Sequence, residues 1–401
     1  MFGCRCRRHG LVARGLLAAK AVEEHIQDNR NDRRQQDPGF QQWLQFMRQV
    51  VEKRWCDQGN HAEPDGHRNN EQVVRIGLEV HSGQDTGAGR GNHPEHEALE
   101  EEAAAFFRSE RMLYFGSGYA ANVAILATLP QRNDLVVYDE LIHASAHTGF
   151  ATGRAAAVAV PHNNLEAFED VMRTWRQAGG KGHPWIVVES LYSMDGDRAP
   201  LAQLAGLADR YDGFLLIDEA HATGVYGADG RGFSSELEGR DHVIVLHTCG
   251  KALGVSGALV GAPGILCDYL INHARPFIYA TAPSPVAAAS VREALHILSD
   301  EPERQQELQK MIGYANEQAS SYLGLKGSGS QIIPVIIGDS ARTLRIAQQM
   351  QADGFDIRAI RPPTVPANTA RLRIAITLNV DFPTVSRMFE RLAQVMTQDQ
   401  P

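Results

Sequence analysis

The stretch FLLIDEAHATG at residues 214–224 contains four large apolar residues that are followed at once by charged and polar ones. Such a short apolar run is typical of a strand that is buried in a parallel sheet. A second stretch, VIVLHTCGK at residues 243–251, has the same form. Because ligands bind at the carboxyl ends of parallel strands, this pattern predicts that Asp218 and Lys251 lie at a ligand-binding edge.

The same alternation of strand and helix patterns extends along the chain on both sides. Apolar runs at residues 112–115, 135–138 and 185–188 are each followed by glycine or polar residues and then by helical spacing. This order predicts an α/β fold with a mostly parallel central sheet that is covered by helices.

Composition and pattern divide the chain into three parts. Residues 1–88 are atypical, because residues 27–72 within them are rich in glutamine and poor in apolar residues, and we expect this segment to be poorly packed. Residues 89–286 carry the strand and helix alternation and are predicted to form a large domain, and residues 287–401 a smaller C-terminal α+β domain. In the C-terminal part we expect helices at 294–317 and from 383, and strands at 331–337 and 372–377.

Charge and cysteine content narrow the class of protein. The chain has 39 Lys+Arg and 48 Asp+Glu, a formal net charge of −9, which argues against nucleic acid as a partner. No stretch approaches the length of an apolar membrane span, and the five cysteines lack the spacing of a disulfide framework.

The first 22 residues are basic but lack serine, so we favour an exposed terminus on a cytoplasmic protein. An organellar targeting peptide is the alternative.

A helix start is predicted at residues 92–100, with Asn92 as the cap and Pro94 in the first turn. His93 and His96 could instead be metal ligands. No cysteine or third ligand lies nearby in the sequence, so capping is favoured and no metal site is expected.

Lys251 follows a strand and lies among glycine and small residues, where a desolvated amine can form an imine. A buried acid such as Asp218 is costly unless it faces a cation or a donor. Pyridoxal phosphate requires both groups, because an acid opposite the pyridine nitrogen keeps the ring protonated. The glycine-containing turn at Gly118 and the hydroxyl of Thr248 would then hold the cofactor phosphate.

Each of these residues also has a simpler explanation when it is considered alone. Asp218 could cap a helix, Gly118 could serve a tight turn, and Lys251 could be a solvated amine. His143 could be a core histidine rather than a group stacked on the cofactor ring. With the cofactor bound, His221 could donate to the phenolic oxygen of the ring. The order of all these residues and their placement at strand ends favours the cofactor.

The segments that carry these residues resemble the pyridoxal-phosphate-dependent α-oxoamine synthases of the fold-type I aminotransferase superfamily. The resemblance runs from about residue 89 to about residue 395. It rests on GYAAN at 118–122, HAS at 143–145, SMDGD at 193–197, DEAHATG at 218–224, TCGKALG at 248–254, IYAT at 278–281 and RPPTVP at 361–366. It implies a fold-type I transferase, pyridoxal 5'-phosphate as cofactor, and a homodimer with shared active sites.

The resemblance also implies a role for each candidate site residue. Lys251 would form the Schiff base and exchange the proton at Cα, with Asp218 opposite the pyridine nitrogen and His143 stacked over the ring. Arg373 would hold the carboxylate of the amino acid, and Thr364 would lie near the acyl substrate. The other cofactor contacts would come from Gly118, Tyr119, Ser193, His221, Thr248 and, on the phosphate of the neighbouring subunit, Thr281.

One of these assignments has an alternative in the strand pattern itself. Arg371 and Arg373 are predicted to share one face of a strand, so Arg373 could be only a surface charge.

The implied reaction is a decarboxylative condensation of an amino acid with an acyl thioester. Within the family, residues 360–366 and 369–373 most resemble the members that use L-alanine and a pimeloyl thioester of CoA or of a carrier protein, in biotin biosynthesis. Two alternatives stay open. One is a related α-oxoamine synthase that transfers acetyl to glycine or makes a long-chain α-aminoketone. The other is an inactive cofactor-binding remnant, because residues 1–88 lack the N-terminal motifs of the family.

Overall fold

The structure of the protein is a computed structural model that describes residues 92–399. The expectations for residues 1–88, both the poor packing and the basic terminus, lie outside these residues.

Within the described residues the chain forms one seven-stranded sheet and one three-stranded sheet. The seven strands lie in the order β1-β7-β6-β5-β4-β2-β3. β7 is antiparallel to both of its neighbours, and β6, β5, β4, β2 and β3 are mutually parallel. The strands are β1 Arg111–Phe115, β2 Leu135–Asp139, β3 Ala156–Val160, β4 Pro184–Glu189, β5 Phe214–Asp218, β6 Val243–Thr248 and β7 Ala258–Ala262.

This sheet confirms the α/β prediction and the five strands that the apolar runs predict. Those runs are continuous because both faces of the sheet are covered. Val136 and Leu216 pack into the hydrophobic cluster on one face, and their neighbours Val137 and Leu215 pack into the cluster on the other. The strands β3 and β7 were not predicted, because their sequences AAVAV and ALVGA are rich in alanine, which is depleted in strands.

The helices of the large sheet connect its strands and cover its faces. They are α1 Pro94–Phe107, α2 Gly118–Thr128, α3 Ala144–Thr152, α4 Leu165–Gln177, α5 Leu201–Tyr211, α6 Gly264–His273 and α7 Arg275–Ile278. None of the helices among the described residues is long and apolar enough to cross a membrane.

The start of α1 differs from the prediction, because His93 rather than Asn92 is the cap. The ring of His93 accepts a hydrogen bond from the backbone N–H of Glu95 at 3.2 Å, and the backbone N–H of His93 donates to His96 Nδ1 at 3.3 Å. Asn92 instead donates to the Glu97 carboxylate at 3.1 Å. The two histidines therefore serve the helix end, as the capping interpretation expected.

The C-terminal part contains the three-stranded antiparallel sheet, in the order β8-β10-β9. The predicted helix at 294–317 is two helices that break at Glu301, because the residue before Pro302 is disfavoured in a helix. The division of the chain at residues 286 and 287 stays a prediction. The elements are α8 Pro285–Asp300, α9 Pro302–Leu323, β8 Ile332–Gly338, α10 Ser340–Ala352, β9 Arg358–Ile360, β10 Ala370–Ala375 and α11 Phe382–Gln398.

The small sheet has its own hydrophobic cluster, which permits a matched test of its packing. Ile333 and Ile336 both lie on β8, but Ile333 is 1% exposed and Ile336 is 58% exposed. We expect Ile333→Ala to lower the free energy of unfolding by about 2–5 kcal/mol, because it leaves a cavity, and Ile336→Ala by less than about 1 kcal/mol. Urea unfolding at a fixed cofactor concentration measures both, and equal losses would contradict the packing described here.

Candidate active site

The parallel register brings the carboxyl ends of three strands to one level. Glu189 at the end of β4 is paired with Asp218 at the end of β5, and Asp218 is paired with Leu246 of β6. Lys251 follows the end of β6 by three residues. The predicted acid and the predicted amine therefore lie at the same edge of the sheet.

Lys251 and His221 are in direct contact, with 2.8 Å between Nζ and Nε2. Burial lowers the pKa of His221 to about 2, and the nearby charge of Lys251 acts in the same direction. Lys251 as a whole is exposed, yet desolvation of its amine lowers its pKa, partly offset by the charges of Asp218 and Glu189. The pair thus consists of a neutral imidazole and an amine that is deprotonated more readily than a free lysine.

Asp218 is buried and is held by two donors. Its Oδ2 accepts from Asn122 Nδ2 at 2.8 Å, and its Oδ1 accepts from the backbone N–H of Ala220 at 2.9 Å. Asn122 also donates to Ser145 Oγ at 2.9 Å. The carboxylate is therefore fixed in one orientation by a polar network inside the protein.

His143 is joined to the same network through Ser145. Its Nδ1 lies 2.8 Å from Ser145 Oγ and accepts from the Ser145 backbone N–H at 3.2 Å, so His143 caps α3. Desolvation lowers its pKa, while the charge of Asp218 raises it and that of Lys251 lowers it. His143 is therefore not a core histidine, and it is close enough to Asp218 and Lys251 for their charges to act on it.

Gly118 and Thr248 form a narrow cradle at the start of α2. A Cβ built on Gly118 would lie 3.3 Å from Thr248 Oγ1, so a larger side chain would fill this space. Gly118 is the first residue of α2, and the first backbone N–H groups of a helix can bind an anion. Of these groups, the Ala120 N–H already donates to Ser117 Oγ at 3.1 Å. Tyr119 is half-exposed beside it and contacts Thr148 Oγ1 through its hydroxyl at 2.8 Å.

The two arginines of β10 have different surroundings. Arg371 is buried and pairs with Asp195 at 2.5 Å. Arg373 donates from Nε to the Ser193 carbonyl at 2.7 Å, and no hydrogen bond from its Nη1 or Nη2 is found among the described residues. Burial lowers the pKa of Arg373, with Glu189 as the opposing charge. Arg373 is therefore no simple surface charge and keeps two donors for an anion.

Three residues that contribute to the site were not singled out from the sequence. Asn122 and Ser145 belong to the GYAAN and HAS motifs, but their bridging role depends on contacts between segments that are distant in the sequence. Glu189 is buried, and its Oε2 accepts from the Ser193 N–H at 3.1 Å, while Oε1 has no hydrogen-bond partner among residues 92–399. Burial raises the pKa of Glu189 well above its usual range. The sequence feature that could have identified Glu189 is an acidic residue directly after an apolar run, as at Asp218.

Two predicted residues are not linked to this cluster by a hydrogen bond among the described residues. Thr281 is exposed on the segment between α7 and α8, and Thr364 is exposed in a turn before β10, where its N–H donates to the Arg361 carbonyl at 3.0 Å. Within residues 92–399, no hydrogen bond joins either of them to Lys251 or Asp218. Their roles stay predictions.

Pyridoxal phosphate fits the groups that the fold brings together. A desolvated amine suits its aldehyde, a buried carboxylate suits its ring nitrogen, and a helix N-terminus beside a hydroxyl suits its phosphate. In this structure these groups are Lys251, Asp218, and the Gly118 and Thr248 cradle.

Comparison with protein families and sequences gives consistent matches. The family model described as aminotransferase class I and II matches residues 59–392. A putative 8-amino-7-oxononanoate synthase from Geobacillus kaustophilus is 38% identical over 321 residues, which cover 78% of this chain and 81% of that protein. An 8-amino-7-oxononanoate synthase from Chromobacterium violaceum is 40% identical over 284 residues, 70% of this chain and 73% of that protein.

Solved structures show the same fold. A serine palmitoyltransferase from S. paucimobilis with bound PLP–myriocin is similar with a TM-score of 0.72 and 25% identity, over 77% of this chain and 78% of that one. An 8-amino-7-oxononanoate synthase from Francisella tularensis is similar with a TM-score of 0.67 and 27% identity, over 79% of this chain and 91% of that one.

The contact between Asn122 and Asp218 provides a test of the buried network. Asn122→Asp places a second carboxylate at hydrogen-bond distance from the first, and two buried like charges repel. We expect the free energy of unfolding of the cofactor-free protein to fall by about 3 kcal/mol at pH 8, and by clearly less at pH 5, where one carboxyl can take up a proton.

Asn122→Leu is the matched control, because it removes the donor without adding a charge, and we expect its loss to depend less on pH than that of Asn122→Asp. Urea unfolding at each pH measures the two variants. A loss from Asn122→Asp that does not depend on pH would contradict the contact.

Proposed function

The chain belongs to the aminotransferase class I and II family, and we propose that it condenses L-alanine with a pimeloyl thioester to give 8-amino-7-oxononanoate, CO2 and the free thiol. The proposal makes it a pyridoxal-phosphate-dependent acyltransferase of biotin biosynthesis. The relatives that are 38% and 40% identical over most of their length carry the name of that product. The observation that carries the chemistry is the contact of the Lys251 amine with a neutral His221, beside the buried carboxylate of Asp218.

Pyridoxal phosphate, when bound, supplies a protonated ring that accepts the electron pair left at Cα of the amino acid. Asp218 would face the ring nitrogen, and its two donors keep the carboxylate in place. His143 would cover one face of the ring. The groups proposed to make the remaining contacts are Gly118, Tyr119 and Thr248 at the phosphate, and His221 and Ser193 at the ring.

Lys251 is proposed to remove the proton from Cα and to return one at the end of the reaction. Desolvation lowers its pKa, so a larger fraction of the amine is neutral and able to act as a base. His221 stays neutral and holds Nζ at 2.8 Å, which limits the directions in which the amine can point.

Arg373 is proposed to bind the carboxylate of the amino acid. It is joined to Ser193 through Nε alone, which leaves the paired donors that suit a carboxylate. Thr364 is proposed to lie near the acyl chain. We also propose a cytoplasmic homodimer in which Thr281, exposed between α7 and α8, reaches the cofactor phosphate of the neighbouring subunit.

A second candidate is a different acyl chain or amino acid on the same scaffold. The structural similarity to a serine palmitoyltransferase, with a TM-score of 0.72, favours a long-chain α-aminoketone product. The higher identity to proteins named 8-amino-7-oxononanoate synthase favours the first proposal.

A substrate panel separates these functions. With pyridoxal phosphate and pimeloyl-CoA, we expect free thiol to be released with L-alanine and at least about tenfold more slowly with glycine, which lacks the methyl group. Arg373→Gln should raise KM for L-alanine by roughly 10–100-fold, because a charge-assisted bond to the carboxylate is lost.

Arg345→Gln is the control, because Arg345 is an exposed arginine that pairs with Asp399 and should leave KM unchanged. Turnover with serine and a long-chain thioester, but not with L-alanine, would establish the second candidate. No turnover with any amino acid would contradict both and favour an inactive remnant.

A further inference from the structure

The loop of residues 193–197, called here the Ser193 loop, lies between the two sheets and is held from both sides. On the side of the large sheet, the Ser193 N–H donates to Glu189 at the end of β4. On the side of the small sheet, Arg373 donates to the Ser193 carbonyl at 2.7 Å and Arg371 pairs with Asp195 at 2.5 Å. Among the described residues, the Ser193 loop is therefore the only segment to which Arg373 donates a hydrogen bond.

The loop also packs closely on β8 at Gly196. Its φ is +72°, in the left-handed region, and a Cβ there would lie 2.2 Å from the Ile332 carbonyl oxygen. Only glycine fits this position without a shift of the backbone. A small displacement of the loop would therefore be transmitted to the strands of the small sheet.

His162 fixes the far end of the loop through both of its ring nitrogens. Nδ1 lies 2.9 Å from Asp139 at the end of β2, and Nε2 lies 2.8 Å from Asp197. Burial alone would lower the pKa of His162, but its hydrogen bonds to the two aspartates raise it to about 10. The ring is therefore an imidazolium at pH 8 and donates to a carboxylate on each side.

Two neighbours support this bridge. Asn163 donates from its backbone to Asp139 at 2.8 Å and from its side chain to Asp197 at 2.8 Å. The ring of Tyr192 stands perpendicular to the His162 ring, with 4.4 Å between centroids. Among the described residues, no hydrogen bond or ion pair joins His162 to Lys251, Asp218 or Arg373, so its link to Arg373 runs through Asp197 and the Ser193 loop. Its other partner, Asp139, also acts on Glu189 through its charge.

We propose that His162 is a positioning residue: by joining Asp139 to Asp197 it fixes the Ser193 loop and so sets the direction in which Arg373 presents its two free Nη groups to the carboxylate of the amino acid. This inference rests on the proposed role of Arg373. It predicts an effect on the binding of the amino acid and not on the chemical step. A residue with only a structural role would instead affect stability and all kinetic constants alike.

The test is His162→Gln in the full chain with pyridoxal phosphate at pH 8. We expect KM for L-alanine to rise about tenfold, with kcat and KM for the thioester changed by less than about threefold. Equilibrium binding of L-alanine, followed by the change in cofactor absorbance, should weaken by the same factor, while the affinity for the cofactor itself stays unchanged.

His183→Gln is the matched control. His183 lies just before β4, at the opposite end of that strand from the Ser193 loop, and its Nδ1 contacts the Asp212 carbonyl at 2.7 Å. Its replacement should leave the affinity for L-alanine unchanged. Asp197→Asn, which removes the negative charge that faces the His162 ring at a more exposed residue, serves as a second variant if His162→Gln folds poorly, and should show a rise in KM of the same selective kind.

The outcomes separate the inference from the proposed function. If Arg373→Gln does not weaken L-alanine binding, the proposed role of Arg373 is wrong and the inference falls with it. If Arg373→Gln weakens binding but neither His162→Gln nor Asp197→Asn does, the inference alone is overturned. A fall in kcat without a change in L-alanine affinity in these two variants would also overturn it.

Discussion

The parallel hydrogen-bond register of β4, β5 and β6 is the constraint on which the candidate site depends. It places Glu189 beside Asp218 and brings the segment that carries Lys251 to the same edge. A slip of one residue would turn Asp218 to the other face of the sheet and into an apolar cluster. The continuous apolar runs of these strands, packed on both faces, prevent such a slip. Hydrophobic packing therefore fixes the position of the polar groups.

The charges at this edge are balanced between elements that are far apart in the sequence. The acids lie at strand ends, and the cations come from a turn after β6, from β10 and from the loop that carries His162. Burial keeps His221 neutral and lowers the pKa of Lys251, while the two aspartates keep His162 protonated. This region thus holds a base with a lowered pKa in Lys251, a fixed carboxylate in Asp218, and two Nη groups of Arg373 that have no hydrogen-bond partner among the described residues. The proposed chemistry requires each of these separately.

The sequence predicted the parts of the fold and site that depend on local pattern. Buried strands were recognised from their apolar runs, and the strand-end positions of Asp218 and Lys251 followed from them. The alanine-rich strands β3 and β7 lacked such a signal, and Glu301 interrupts what looked like one helix. Arg371 and Arg373 share a face, so spacing could not tell which is paired. That distinction depends on Ser193 and Asp195, nearly 180 residues away. The bridge from Asp139 through His162 to Asp197 is likewise a tertiary contact without a local signal.

The most direct test of this account is to identify the lysine that bonds to the cofactor. The full chain is incubated with pyridoxal phosphate, reduced with borohydride so that the bond becomes permanent, digested, and mapped by mass spectrometry. The account predicts that the label lies on the peptide containing Lys251 and is absent from the Lys251→Ala variant. A label on Lys181, Lys310 or Lys326 at the same level, or no label on Lys251, would contradict the assignment of the site.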